Sequence, residues 1–218
     1  MVTGWQLTPY AIPALAATLA AIAMLALTYR RRHAPGAPAF SLLIAATGVW
    51  SGFDAAILCA PDLPTKLLLT KFEYVGIVSA PLAWLVFAVR YCGQDRWLRG
   101  WRGPALAIVP AVTLVGVATL ERHRWIYESV RLVERDSTLV LAADYGIWFL
   151  VFSIYSYLLI AVATFLFLWT LSAAERAFRG QMIAVVVAPL LTLVGNAVYL
   201  SKLTAVPPID LTPVGFTL

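Results

Sequence analysis

Residues 67–89 read LLLTKFEYVGIVSAPLAWLVFAV, an apolar run long enough to cross a lipid bilayer. Two charged side chains, Lys71 and Glu73, interrupt this run. An ionisable side chain in hydrocarbon costs roughly 2.5–3.5 kcal/mol on insertion scales, so such residues usually face a partner, a cavity or a ligand. The stretch therefore predicts a membrane span and marks the position at which to look for function.

The composition of the whole chain is that of an integral membrane protein. Of its 218 residues, 61% are hydrophobic and 12% are charged, and the mean hydropathy is +0.84. Soluble domains carry about 25% charged residues. The net charge is +5, but the arginines stand in short segments between apolar runs, where they act as topology signals. No basic run is long enough to form a nucleic-acid surface, which argues against that class of partner.

The apolar runs predict an all-α integral membrane domain that covers residues 1–218, a seven-transmembrane helix bundle. A complete span needs about 20 apolar residues. The helices are expected near 10–29, 40–60, 67–89, 104–120, 147–171 and 182–200, with a seventh, truncated helix at 209–218. We therefore expect the chain to be part of a longer one. The outer loop 121–146 is predicted to form a short β-hairpin, because β-branched residues at 126–133 and 138–141 flank turn-forming residues at 134–137.

The placement of basic residues predicts that the N-terminus lies outside the cell. No Lys or Arg precedes the first span, and Arg30–Arg32 follow it directly. Loops rich in Lys and Arg stay on the cytoplasmic side of the membrane. With alternating spans, the arginines between residues 90 and 102 are also inside, and the loop 121–146 is outside.

Polar residues gather in the outer half of the predicted bundle. At 1.5 Å per residue, Asp54, Glu73 and Asn196 each lie about 9–10 Å from the outer end of their helix. Asp210 and Trp148 begin two further helices from the same side. The inner half has no comparable set, so these residues predict a polar layer that is open toward the outside.

Helical periodicity predicts that the residues of this layer face the interior of the bundle. Trp50 and Asp54 are i, i+4 neighbours on the second helix, and Glu73 and Trp84 belong to one stripe on the third. Lys71 and Glu73 are two residues apart and do not face each other. Lys71 should reach the interface or a neighbouring carboxylate, whereas Glu73 is either protonated or bonded to a donor such as Asn196 or Tyr74. The predicted ligand-binding residues are Trp50, Asp54, Glu73, Tyr74, Trp84, Trp148, Tyr155, Asn196 and Asp210.

A structural interpretation of the same residues competes with a ligand site. Buried Asn and Glu side chains often hydrogen-bond helices together, and tryptophans often pack or anchor at the membrane interface. His123 is a candidate pH sensor or metal ligand, although a lone interfacial histidine is usually neither. Cys59 and Cys92 end successive spans and should lie on opposite faces, too far apart for a disulfide. The sequence contains no catalytic constellation, phosphate-binding loop or metal-ligand cluster, so we expect neither enzyme activity nor a metal site in this chain.

Several short motifs occur in a recognisable order along nearly the whole chain. They are Arg30-Arg31-Arg32 with Pro35-Gly36, Lys71-Phe72-Glu73-Tyr74-Val75-Gly76 with Pro81, Trp84, Phe87, Tyr91 and Gly93, His123 with Trp125, Tyr145-Gly146-Ile147-Trp148-Phe149 with Tyr155-Ser156-Tyr157, and Pro189, Gly195, Asn196 and Tyr199 before Asp210-Leu211-Thr212-Pro213. No single motif is specific. Their order and spacing together resemble the N-terminal seven-transmembrane sensor region of prokaryotic histidine kinases, which also heads some diguanylate cyclases and related signalling proteins.

The resemblance implies a sensory input domain in a prokaryotic cell membrane that relays a stimulus to a cytoplasmic output such as a histidine kinase. We expect the stimulus to be an extracellular or membrane-borne small molecule or ion that enters beneath the hairpin. The expected partners are the lipid bilayer, this stimulus, a cytoplasmic output domain in the parent chain and a second copy of the chain in a homodimer. The sequence identifies neither the stimulus nor a cofactor.

Two other classes of membrane protein are alternatives. Intramembrane carboxylates also serve small ion- or proton-coupled transporters and channels. The lack of polar residues in the inner half and of internal repeats counts against this alternative. A light-sensing retinal protein needs a lysine at mid-membrane, and none of the predicted complete spans carries one at that depth.

Overall fold

The computed structural model describes residues 4–30, 32–33, 36–135 and 138–173. The helices are α1 (Ile12–Arg30), α2 (Ala37–Cys59), α3 (Leu63–Tyr91), α4 (Arg102–Leu106), α5 (Ile108–Ala118) and α6 (Ile147–Ala173), and the strands are β1 (Tyr127–Arg135) and β2 (Thr138–Tyr145). The spans predicted at 182–200 and 209–218 lie outside the described residues, together with the candidate site residues Asn196 and Asp210.

Within the described residues, four helices are long and apolar enough to cross a membrane: α1 with the 3-10 turn before it, α2, α3 and α6. They coincide with the first, second, third and fifth predicted spans, which confirms those four predictions. Helix α3 starts earlier than its apolar run, because the Asp62 side chain accepts a hydrogen bond from the Thr65 backbone N–H at 2.9 Å. This N-cap, together with Pro64 in the first turn, lets the helix begin at residues that precede the apolar run.

The fourth predicted span, 104–120, is divided into two helices. Helix α4 ends at Leu106, and α5, which has 11 residues, begins at Ile108. The cause is Pro110, which has no N–H to donate to the Leu106 carbonyl and whose ring crowds that carbonyl. The expectation of one continuous helix here is therefore corrected.

The connections give the two ends of the bundle different chemistry. The α1–α2 and α3–α4 connections carry exposed arginines, and we call this the arginine end. The opposite end, the hairpin end, holds the N-terminal segment, the α2–α3 connection and the hairpin. Cys59 lies at the hairpin end and Cys92 at the arginine end, so the two cysteines lie at opposite ends of the bundle, as predicted.

The outer loop forms the predicted hairpin, with longer strands than the sequence indicated. β1 and β2 pair antiparallel from Tyr127–Tyr145 to Arg135–Thr138, with a bulge between Tyr127 and Ser129. At its base, the Gly146 N–H donates to the Ile126 carbonyl at 2.8 Å. A Cβ at Gly146 would lie 2.3 Å from the Trp125 carbonyl oxygen, so glycine is required where the hairpin joins α6.

Small side chains allow α1 and α2 to pack closely. Gly48 approaches the Cβ of Ala21, and Gly52 approaches Thr18 one turn further along. The hydroxyl oxygens of Thr18 and Ser51 are 3.0 Å apart across the same interface. Small residues at four-residue spacing and hydrogen-bonded hydroxyls are typical of helix pairs in membranes.

Two apolar clusters lie between the remaining helices. The larger cluster joins α2, α3 and α6 and extends to the arginine end through Trp84, Phe87 and Phe167. The smaller cluster lies at the hairpin end, where α3, α5, α6 and the base of the hairpin meet; its buried members are Tyr74, Val78, Val117, Ile126 and Phe152. The polar candidates for function lie between and beside these clusters.

Candidate functional site

Helices α2 and α3 cross at very short range beside Gly76. A Cβ added to this glycine would lie 2.5 Å from both the Ala46 carbonyl oxygen and the Trp50 amide nitrogen. Nearer the hairpin end, the rings of Phe53 and Phe72 stack with centroids 5.5 Å apart and planes 19° apart. The two contacts together fix the register of this antiparallel pair.

That register puts Asp54 and Glu73 at the same level on neighbouring helices. Each carboxyl residue directly follows one ring of the Phe53–Phe72 stack, in the half of the pair nearer the hairpin end. Both are buried, with 9% of their surface exposed. They are the only acidic residues within the four described membrane spans. Since carboxyl groups at this depth are expensive, their common level is a candidate functional site.

Each of these carboxyl residues has a buried polar neighbour one turn away on its own helix. Trp50 precedes Asp54 by four residues and Thr70 precedes Glu73 by three, so each pair shares a helix face. Trp50 is 6% exposed and Thr70 is 1% exposed. Within the part of the chain that the structure describes, the Trp50 Nε1 and the Thr70 hydroxyl oxygen have no hydrogen-bond partner. An unsatisfied buried polar group costs about 1–3 kcal/mol.

Lys71 points away from this level and forms an ion pair. Its Nζ lies 2.5 Å from Glu121 Oε1 and donates to the Ala118 carbonyl at 3.3 Å. The hydrogen bond from Lys71 lowers the pKa of the Glu121 carboxyl below its ordinary value. The prediction that Lys71 and Glu73 diverge is therefore confirmed, and of the two predicted destinations of Lys71, the interface or a neighbouring carboxylate, the structure shows the carboxylate.

Tyr74 and Trp148, two predicted ligand contacts, join the bundle to the base of the hairpin. Tyr74 is buried and meets Tyr127 edge-to-face, with ring centroids 6.3 Å apart. Burial raises the pKa of the Tyr127 hydroxyl well above its ordinary range. The indole N–H of Trp148 donates to the Thr113 hydroxyl at 2.9 Å. These contacts assign both residues a place in the smaller apolar cluster.

Tyr155, another predicted contact, supports the break between α4 and α5. Its hydroxyl donates to the Leu106 carbonyl. This is the carbonyl that would accept from residue 110 in a regular helix, and Pro110 has no N–H to offer. The tyrosine therefore satisfies a backbone group that the proline leaves open.

Trp84 lies in a different part of the bundle from the level of Asp54 and Glu73, which we call the carboxyl level. It comes 11 residues after Glu73, about 16 Å further toward the arginine end at the helical rise. Its ring contacts Phe87 and Phe167, with centroid distances of 5.9 and 5.4 Å. Of the predicted site residues that the structure describes, Asp54 and Glu73 share one level, and Trp50 lies one turn from Asp54 in the larger apolar cluster. The others, Tyr74, Trp84, Trp148 and Tyr155, make packing contacts or hydrogen bonds elsewhere.

Lys66 is a buried residue whose role the sequence did not reveal. Its side chain is fully buried, and its Nζ donates to the Ile57 carbonyl. That carbonyl is in the last turn of α2, where a positive charge is favoured by the helix dipole. The short α2–α3 connection, with its N-capping Asp62, was the available signal.

A surface cleft at the hairpin end also went unpredicted. It is lined by Gly4, Gln6, Leu7, Thr8, Pro9, Leu58, Cys59, Ala60, Pro61, Thr138 and Leu139. The hydroxyl oxygens of Thr8 and Thr138 lie 3.2 Å apart, so the end of the hairpin reaches across to the N-terminal segment. The hairpin therefore covers part of the end at which Asp54 and Glu73 lie.

Among the residues that the structure describes, His123 contacts only its neighbours in the sequence. Its Nε2 lies 3.1 Å from the Thr119 hydroxyl, its Nδ1 accepts from the Trp125 N–H at 3.4 Å, and its ring stacks on Trp125. Within the same described ranges, no group of three or more His, Cys, Asp or Glu side chains is arranged to hold a metal ion. His123 is thus held as part of the α5–hairpin connection.

Comparison with known proteins identifies the family of this helical chain. Residues 13–218 match the family described as the N-terminal 7TM region of histidine kinase, which covers nearly the whole chain. No curated protein matches the chain significantly. A sensory region of this kind lies in the lipid bilayer and serves a cytoplasmic output domain. The chain belongs to this family and is the membrane-embedded, multi-pass sensory region of the histidine-kinase type.

Proposed function

We propose that this region detects a small cation or another small hydrogen-bonding molecule at the level of Asp54 and Glu73. The observation that carries the proposal is the burial of these two carboxyl groups at one level of neighbouring helices. A carboxylate pair attracts a cation, and a protonated carboxyl offers both a hydrogen-bond donor and an acceptor. The Trp50 indole and the Thr70 hydroxyl add polar groups one turn away.

The stimulus reaches this level from outside the cell in our proposal. The exposed arginines of the described chain that flank the first three spans lie at the arginine end. From the positive-inside rule we infer that this end is cytoplasmic and that the N-terminus and the hairpin lie outside. The cleft between the hairpin and the N-terminal segment supports a route from the same side. The homodimer expected from the sequence stays a prediction.

Binding at this level acts on the contact between α2 and α3. The close approach at Gly76 lies about one turn from both carboxyl residues. A ligand held by Asp54 and Glu73 thus favours one packing of the two helices over another. It signals only if it binds the two packings with different affinity. The larger apolar cluster, which contains Trp50 and extends to Phe87, provides a packed connection toward the arginine end.

The test uses the full-length protein that carries this region, which we propose to be a histidine kinase, reconstituted in lipid nanodiscs with autophosphorylation as the output. The probes are protons over a pH series, sodium, potassium, calcium and tetramethylammonium. The variants are Asp54→Asn and Glu73→Gln, which keep the side-chain shape. Glu128→Gln is the matched control, because Glu128 is an exposed glutamate on the hairpin.

We expect at least one probe to change autophosphorylation in the wild type and in Glu128→Gln. The concentration required should rise by about tenfold or more in Asp54→Asn and Glu73→Gln, because each loses one charge-assisted contact of about 1.5–3 kcal/mol. Unchanged dose–response curves in both variants would refute the site. A wild type that is indifferent to all five probes would refute a cationic stimulus.

A further inference from the structure

We propose that the connection between α3 and α4 is a binding surface for the headgroups of anionic phospholipids. Residues 93–103 read GQDRWLRGWRG, and we call this segment the basic loop. It lies at the arginine end, away from the carboxyl level, so the proposal is independent of the stimulus site.

The charged and aromatic side chains of the basic loop are exposed. Arg96, Arg99 and Arg102 are exposed, and none of them takes part in an ion pair within the described residues. Trp97 is 50% exposed and Trp101 is 77% exposed. Three arginines against one acidic residue, Asp95, leave the loop with a net positive charge. Cations without an ion pair in the described chain and exposed indoles are thus available to an outside partner.

The basic loop is folded rather than extended. A 3-10 helix spans Asp95–Leu98, and the Gln94 N–H donates to the Val89 carbonyl at 2.8 Å. Leu98 packs against the larger apolar cluster and so anchors the loop to the bundle. Gly100 has φ of +67°, which lets the chain turn sharply between the two tryptophans. The arginines and tryptophans are therefore held in place before a ligand arrives, which reduces the entropy lost on binding.

The position of the loop identifies the partner. The loop directly follows α3, a membrane-spanning helix, so its side chains lie at the level where hydrocarbon gives way to headgroups. Indole rings prefer that level, and guanidinium groups bind phosphate oxygens in a bidentate manner. Exposed Arg90 at the end of α3 and Arg30 at the end of α1 extend the positive surface. Anionic phospholipid phosphate matches this surface in charge, geometry and depth.

The test measures lipid preference of the full chain in phosphatidylcholine nanodiscs. Brominated phosphatidylglycerol and brominated phosphatidylcholine quench tryptophan fluorescence, and the two quenching curves give the relative affinity for the anionic lipid. The loop variant is Arg96→Gln/Arg99→Gln/Arg102→Gln. The charge-matched control, Arg122→Gln/Arg124→Gln/Arg131→Gln, removes three arginines from the hairpin end.

We expect the wild type and the hairpin-end control to prefer phosphatidylglycerol by about fivefold or more, and the loop variant to show a ratio near one. Each arginine near an anionic surface is worth about fivefold in partitioning. The wild-type preference should also weaken as ionic strength rises, because salt screens exposed charges. A loop variant that keeps the preference, a control that loses it, or a wild-type preference that salt does not change would overturn the proposal. The salt series needs no variant, so it tests the proposal even if the loop variant fails to fold.

Discussion

Replacing Gly76 by alanine should force α2 and α3 apart. The new Cβ would lie 2.5 Å from two backbone atoms of α2 and 2.9 Å from a third, Trp50 Cα. Ordinary contacts are 3.4–4 Å, so one helix must retreat by about 1 Å. The contacted atoms belong to the main chain of a helix and cannot rotate away as a side chain can. Overpacking of this kind costs about 1–3 kcal/mol, and the rigid neighbours place Gly76→Ala at the upper end of that range.

The matched control is Gly52→Ala on the other face of α2. A Cβ at Gly52 would lie 3.5 Å from the Thr18 Cγ2, an ordinary contact with a side chain. Alanine stabilises a helix interior by about 0.5–1 kcal/mol relative to glycine, and Gly52→Ala should show that gain. Gly76→Ala should instead lose about 2 kcal/mol, since the same gain only partly offsets the overpacking.

The assay is unfolding of the purified chain in mixed micelles with a rising fraction of sodium dodecyl sulfate, followed by circular dichroism. The difference between the two alanine variants should be about 3 kcal/mol. Equal stability of Gly76→Ala and Gly52→Ala would contradict the close approach at Gly76. It would also remove the register on which the common level of Asp54 and Glu73 rests.

Two further predictions concern single contacts outside the carboxyl level. Tyr155→Phe removes the donor to the Leu106 carbonyl and should cost about 1–3 kcal/mol in the same assay. Adding Pro110→Ala, which supplies a backbone N–H, should recover part of that loss, and a Tyr155→Phe protein as stable as wild type would contradict the contact. The Lys71 ion pair lowers the pKa of Glu121 from its ordinary value of 4.5, so its stabilisation is complete above that pH and is lost as pH falls through the lowered pKa. Unfolding curves of wild type and Glu121→Gln should therefore differ at neutral pH and converge well below pH 4.5, and parallel curves down to pH 2 would contradict the ion pair.

Apolar length and strand propensity predicted most of the described fold. Four spans follow from runs of about 20 apolar residues, because the bilayer requires that length. The hairpin follows from β-branched residues on both sides of a turn. The divergence of Lys71 from Glu73 follows from helix geometry alone, since residues two apart point in different directions.

The features that were missed depend on the backbone and on neighbouring elements. The break between α4 and α5 arises because Pro110 lacks a donor, which a count of apolar residues does not register. The burial of Lys66 depends on the end of α2 lying beside it, a tertiary contact that its own position does not reveal. Trp84 was assigned to the site by its helix face, but depth along α3 separates it from Glu73.

A fastening role and a sensory role of the carboxyl level predict opposite results for leucine variants of Asp54 and Glu73. The Gly76 approach and the Phe53–Phe72 stack already join the two helices beside this level. Burying two carboxyl groups beside these contacts opposes insertion by roughly 2.5–3.5 kcal/mol for each ionised group, and apolar replacements of buried charged groups are often neutral or stabilising. A fastening role therefore requires leucine at Asp54 and Glu73 to weaken the bundle. A sensory role requires those leucines to abolish the response while the bundle stays as stable or becomes more so.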